Sequence, residues 1–259
     1  MCSITVVPRN DGFRCLFNRD ERVSRTAAFP PQHHEVGSTS GVFPLDPDGG
    51  GTWVGCNDAG LLLALLNRSA SLPAGPAGPA GLAEPTGAEL RSRGVLIPEL
   101  LRYRSVSDVC QAASGLLSPR FAPLRLIAVQ AGVVGVVTWD GLSSATESIA
   151  MNQPLLFTSS SLGDAIVETP RRRLFDATLI NAADSWLAGQ QRYHRHQWPD
   201  RPDVSVCMER AGRRTVSRST IDVAATTVTF AYEPLGAGGV ATSPPCLVAL
   251  PRGVPDNAG

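Results

Sequence analysis

Cys2 follows the initial methionine directly. Aminopeptidases remove methionine when the next residue is small, and cysteine qualifies. Removal would leave a free α-amino group and a thiol on one residue. Such an amine titrates near about 7.7–8.0, so much of it is a neutral base at working pH. The thiolate is the attacking form of cysteine, and a neighbouring arginine favours it. Cys2 can therefore supply nucleophile and base together, as an N-terminal threonine does.

A short hairpin gives this residue charged neighbours. Cys2–Val7 is β-branched and reads as a strand, Arg9-Asn10-Asp11-Gly12 as a turn, and Phe13–Asn18 as the returning strand. A loop at Asn10-Asp11 places Cys2 opposite Arg19; a loop at Asp11-Gly12 places it opposite Glu21. Either register brings the chain start beside Arg19, Asp20 and Glu21. Arg19 would then sit by the thiolate, and Asp20 could orient the amine.

Other groups point less clearly to chemistry. His33-His34 and His194-x-His196 lack a carboxylate or cysteine at a ligand spacing, so no metal site is expected and solvated loop histidines are. Arg171-Arg172-Arg173 reads as a solvated face opening a helix. Cys15, Cys56, Cys110 and Cys207 lie in apolar segments and read as small buried hydrophobes. Every cation among the 23 basic residues is arginine, which reads as the mark of a GC-rich, bacterial genome. Without lysine, Schiff-base, pyridoxal and Walker-type phosphate chemistry are excluded. With 23 acidic residues in balance, no polyanion partner is implied. The absence of an 18-residue apolar run and a short, uncharged start predict neither membrane span nor signal peptide, and so a cytoplasmic protein.

The elements that position these groups follow from pattern. Residues 26–51 read as loop. Trp53–Cys56 and Leu61–Asn67 read as a second, more apolar hairpin around Asn57-Asp58-Ala59-Gly60. Residues 69–87, with Pro-Ala-Gly three times, read as a surface loop. Helices are expected over about 87–104, 106–117 and 171–187, and polar irregular chain over 189–203. Further strands are expected over 124–130, 133–140, 155–159, 204–208, 215–223 and 227–232. Strands, helices, strands, a helix and strands again give a layered antiparallel α+β fold in a single domain of 259 residues.

Asn18-Arg19-Asp20-Glu21 resembles the Asn-Arg-Asp-Glu signature of the NRDE family, which includes the transport-and-Golgi-organisation protein 2 group. Met1-Cys2, Gly50-Gly51-Thr52-Trp53-Val54-Gly55, Asn57-Asp58-Ala59-Gly60-Leu61, Thr158–Asp164 and Arg214–Thr220 extend the likeness over most of the chain. That family is similar to the N-terminal-nucleophile (Ntn) hydrolases near the choloylglycine hydrolase and penicillin V acylase group. The resemblance implies a four-layer αββα sandwich and hydrolysis of a non-peptide C–N amide bond. It implies Cys2 as nucleophile, Arg19 beside it, Asn67 as oxyanion donor and Arg218 as the late site arginine. Arg214 competes with Arg218, since spacing four puts both on one face of a regular strand. Asp20 takes the aspartate role, because Arg22 stands where the acylases have it. Ser159 replaces a second asparagine. Asn18, Glu21, Trp53 and Arg214 are expected as binding residues. No cofactor is expected for hydrolysis; the alternative is non-catalytic haem or lipid/acyl-CoA binding and trafficking through the same pocket. The expected partner is a small amide, lipid or haem.

Overall fold

A computed structural model describes residues 2–68, 90–160, 162–183 and 185–253. The Pro-Ala-Gly segment expected as a surface loop lies outside them. Two seven-stranded antiparallel sheets form the centre. The first contains β1 (Cys2–Arg9), β2 (Gly12–Arg22), β10 (Leu155–Ser159), β11 (Glu209–Arg210), β12 (Arg213–Val223), β13 (Thr227–Pro234) and β14 (Cys246–Pro251). Its order is β10-β1-β2-β12-β13-β14, with β11 paired to β12. The second runs in chain order: β3 (Phe29–Val36), β4 (Thr39–Leu45), β5 (Val54–Asn57), β6 (Leu62–Asn67), β7 (Leu124–Gln130), β8 (Val133–Trp139) and β9 (Ser144–Ala150).

The sheets stack face to face because alternate residues of each are apolar. Ile4, Val6, Phe17, Ile221 and Phe230 of the first meet Val54, Leu62, Ala64 and Ile127 of the second in one buried core. A second core lies outside the second sheet, under α1 (Leu96–Leu100) and α2 (Val106–Leu116). A third and smaller one lies outside the first sheet, under α3 (Asp164–Phe175) with its π-helical extension Asp176–Ile180, and α4 (Trp186–Arg195). The layers are helix, sheet, sheet, helix, the expected α+β sandwich.

The first hairpin takes the two-residue Asn10-Asp11 loop, pairing Arg9 with Gly12 and Cys2 with Arg19. Gly12 is required there. Its φ is +151°, and a Cβ would lie 1.9 Å from the Val223 carbonyl oxygen of β12.

Several sequence expectations are corrected. Residues 26–51 hold β3 and β4, and β9 and β14 are strands that the pattern did not indicate. The helix expected over 87–104 is a 3-10 turn, Arg93–Val95, followed by the five-residue α1. The helix expected over 171–187 starts earlier and breaks after Ile180. A new helix then begins at Ser185, whose hydroxyl accepts from the Ala188 N–H at 3.4 Å. The expected irregular stretch from 189 is helical to Arg195. Val204–Met208 is buried chain outside any strand.

Candidate active site

Cys2 opens β1, which lies between the edge strand β10 and β2. Its main chain pairs with Ser159 of β10 on one side and Arg19 of β2 on the other, and Arg19 pairs in turn with Ser217 of β12. Side chains at laterally paired positions share a face, so Ser159, Cys2, Arg19 and Ser217 form a row facing the second sheet. The second sheet supplies the opposite wall. Cys2, Arg19, Asp20, Glu21, Trp53 and Asn67 line one cavity of about 430 Å3, with Asp46 and Arg93 among its other walls.

Each side chain has a local cause. The Asp46-Pro47-Asp48-Gly49 turn folds back on itself: Asp46 Oδ1 accepts from the main-chain N–H groups of Asp48 at 3.1 Å and Gly49 at 3.3 Å. The turn thereby points Asp46 at Arg19, whose Nη2 donates to Asp46 Oδ2 at 2.8 Å. The Arg19 guanidinium also lies 3.9 Å from the Trp53 ring centroid, a cation–π arrangement. Arg25 binds the same Asp46 carboxylate at 2.9 Å. Neither Asp46 nor Arg25 belongs to the signature residues; the Asp-Pro-Asp-Gly-Gly run is the one sequence signal that marks the turn.

Burial pushes the Cys2 thiol above its usual value. The Asp20 carboxylate adds to this, while the positive amino terminus, a main-chain N–H of Asp20 directed at the sulfur, and Arg19 oppose it without cancelling it. Asp20 is itself buried. Its Oδ1 accepts from Thr215 Oγ1 at 2.6 Å, while Oδ2 has no partner among the described residues. Burial pushes the Asp20 carboxyl up, against the pull of Arg171 and then of the amino terminus. Ser159 is buried beside Cys2 with its Oγ unpartnered among the described residues. Asn67 ends β6 exposed at the cavity. Glu21 lines the cavity 3.8 Å from Arg25.

The two late arginines separate. A β-bulge between Thr215 and Ser217 inserts Val216, so Arg214 pairs with Glu21 whereas Arg218 pairs with Asn18. The expectation that both share one face fails, because the extra residue reverses the alternation. Arg214 lines an adjoining cavity with Arg19, Glu21, Arg25 and Tyr232, and its Nε is buried without a partner among the described residues. Arg218 lies on the helix-covered face, away from the Cys2 row, and is paired with Glu233.

Asn18 is on that outer face too. Its Nδ2 donates to the carbonyls of His194 at 2.8 Å and Val206 at 3.0 Å. Asn18 Oδ1 is therefore the acceptor for His194 Nδ1 at 3.1 Å, which leaves His194 Nε2 to accept from Thr5 Oγ1 at 2.8 Å. His194 is fully buried on α4, not a solvated loop histidine, and burial together with Arg218 and Arg171 holds its pKa well below 6.5. Arg171, expected on a solvated face, is fully buried as well. It donates to Ser3 Oγ, Thr158 Oγ1 and the carbonyls of Val204 and Ser205 at 2.7–3.0 Å. These contacts pin the helix layer to the strands that carry Cys2.

All six cysteines are free thiols, and Cys15, Cys56, Cys110 and Cys207 are buried. No group of three or more His, Cys, Asp or Glu among the described residues is placed to hold a metal ion. No described helix is long and apolar enough to cross a membrane.

Comparison with known proteins matches this fold. A Caenorhabditis elegans orthologue of N-acylethanolamine-hydrolyzing acid amidase superposes with a TM-score of 0.52 at 12% identity, covering 85% of this chain and 92% of its own. A conjugated bile acid hydrolase from Clostridium perfringens superposes in two variants, each with a TM-score of 0.51, at 12% and 11% identity, covering 97% of this chain and 92% of its own. These are Ntn-hydrolase folds, and at such identity the likeness is one of fold. No curated protein matches by sequence. The family model of Transport and Golgi organisation 2 matches residues 1–149, from the Cys2 hairpin through β9, and the chain belongs to that family.

Proposed function

We propose that the protein is a cysteine Ntn hydrolase that cleaves a non-peptide C–N amide bond of a small molecule after removal of Met1. The observation that carries this reading is the position of Cys2: a strand-end cysteine at the wall of a cavity of about 430 Å3, paired between Ser159 and Arg19. That volume is within the range of small-molecule sites, roughly 300–1,000 Å3.

In this reading the Cys2 α-amine takes the thiol proton and the sulfur attacks the amide carbonyl. Asp20, buried and lining the same cavity as Cys2, holds the resulting ammonium. Asn67 and Ser159 donate to the oxyanion, a type of contact worth about 2.7–4 kcal/mol where one donor has been removed. Collapse breaks the C–N bond, and the ammonium returns its proton to the departing amine. Water then attacks the thioester, releasing the carboxylic acid and restoring the thiol.

The test is intact-mass measurement followed by thiol-probe labelling. The active protein is expected to lack Met1 and to be labelled at Cys2 in preference to the four buried cysteines, with labelling at that position lost in Cys2→Ser. Retention of Met1 in protein that turns over an amide sinks the reading.

A second reading, ligand holding without turnover, is favoured by the Arg19–Asp46 pair, which already takes up the charge that would support a thiolate. The ligand would be haem or a lipid or acyl-CoA. A Soret shift on haem addition that disappears in Cys2→Ala supports it, and an unchanged shift in that variant counts against it.

A further inference from the structure

The cavity's arginines are not equally occupied. Arg19 is held by Asp46, and Arg25 by Asp46, with Glu21 and Asp48 within 4.0 Å. Arg91 is exposed and lies over the Phe121 ring, 5.3 Å from its centroid. Arg93 differs from all of these. It is half-buried, its Nη1 donates at 2.9 Å to the main-chain carbonyl of Pro123, and no carboxylate lies within ion-pair distance of it among the described residues. Burial pushes the guanidinium below the usual arginine value, and the negative groups that resist this are Cys2, as thiolate, and then Glu21. Arg93 lines the same cavity as Cys2.

The fold fixes it there. The 3-10 turn bearing Arg93 is pressed onto the chain leading into β5: the Thr52 N–H donates to the Gly94 carbonyl at 3.1 Å, and a Cβ on Gly51 would lie 2.3 Å from the Gly94 carbonyl carbon. The Gly-Gly-Thr-Trp block thus has two products in space, Trp53 under Arg19 and Arg93 in the wall of the Cys2 cavity. A guanidinium kept half out of water and left without a carboxylate among the described residues is an electrostatic demand that a bound anion can satisfy with a bidentate contact.

We propose that Arg93 is the specificity residue of the cavity and binds an anionic group, of the carboxylate class, on the molecule that reaches Cys2. The proposal rests on the reading of Cys2 as the reacting group, and two measurements keep the fates of the two ideas apart. The first compares alkylation of Cys2 by iodoacetate and by iodoacetamide, which share a leaving group and differ in charge, on protein lacking Met1. The ratio of the two rates is expected to fall about tenfold or more in Arg93→Gln and to be largely kept in Arg93→Lys, with circular dichroism confirming the fold of each. A ratio unchanged in Arg93→Gln overturns the proposal. An equal fall in both rates also overturns it, because Arg93 would then act on the thiolate itself. The second measurement needs no reactive thiol: hexanoate, but not hexanamide, is expected to raise the Tm of Cys2→Ala and to lose that effect in Cys2→Ala/Arg93→Gln. Absence of alkylation by both reagents defeats the nucleophile reading alone; absence of the hexanoate effect, or its persistence without Arg93, defeats the anion site.

Discussion

Asp20 is a buried carboxyl with one hydrogen bond, from Thr215, and one oxygen unpartnered among the described residues. Its pKa is raised above 3.8, chiefly by burial. The folded state therefore holds the Asp20 proton more tightly than the unfolded chain, and this residue costs stability increasingly as pH rises through its folded pKa. Asp20→Asn keeps an acceptor for Thr215 and removes the charge. The variant is expected to gain stability over the parent between pH 4 and pH 7, measured by chemical denaturation. A variant that loses stability over that interval shows that Asp20 is ionised and held by its neighbours. Residues of this kind were partly legible. Cys2, Arg19 and Asp20 could be found because hairpin arithmetic is local. Asp46 and Arg93 could not, because their relation to Cys2 exists only once the second sheet is stacked on the first.

Among elements, the two hairpins β1–β2 and β5–β6 were readable from their apolar strands and turn residues, whereas β3, β4, β9 and β14 were not. β9 is exposed along nearly its whole length, so it carries no alternation to detect. α4 defeats a helical hydrophobic pattern for a related reason. The sheet face beneath it presents Thr5 and Asn18, so the helix meets it with Gln190 and His194. The bulge at Val216 is a third case, since a strand's sequence does not announce that it slips by one residue. Gly51 shows the opposite, an element junction written in sequence and explained by packing. Gly51→Ala forces the 3-10 turn off the chain entering β5. It is expected to cost about 1–3 kcal/mol in denaturant unfolding and to lower the iodoacetate-to-iodoacetamide ratio at Cys2 as Arg93 moves. An unchanged midpoint and ratio together contradict the close approach of Gly51 and Gly94.

At the scale of the molecule, the sandwich joins a dry inter-sheet core to a polar seam beneath α3 and α4. The seam buries His194 as a neutral ring. Its folded pKa is depressed, so its stabilising share is complete above about pH 6.5 and is lost as pH falls below that value. His194→Gln is expected to flatten the fall of stability between pH 6.5 and pH 5, by at most about 1.4 kcal/mol per pH unit, one proton's worth. An equally steep fall in the variant would assign acid sensitivity to another group. The seam also sets an order of events during synthesis. β1 meets β2 across a two-residue turn, but its other neighbour, β10, is the partner that flanks Cys2 at Ser159, far along the chain. At about 5–20 residues per second, the ribosome takes on the order of 7–30 s to reach it. Throughout that interval the strand bearing Cys2 has one open edge, and an aminopeptidase meets a nascent end that no second strand has yet closed. The removal of Met1 on which the hydrolase reading depends thus has a stretch of synthesis in which β1 has only one neighbouring strand in place.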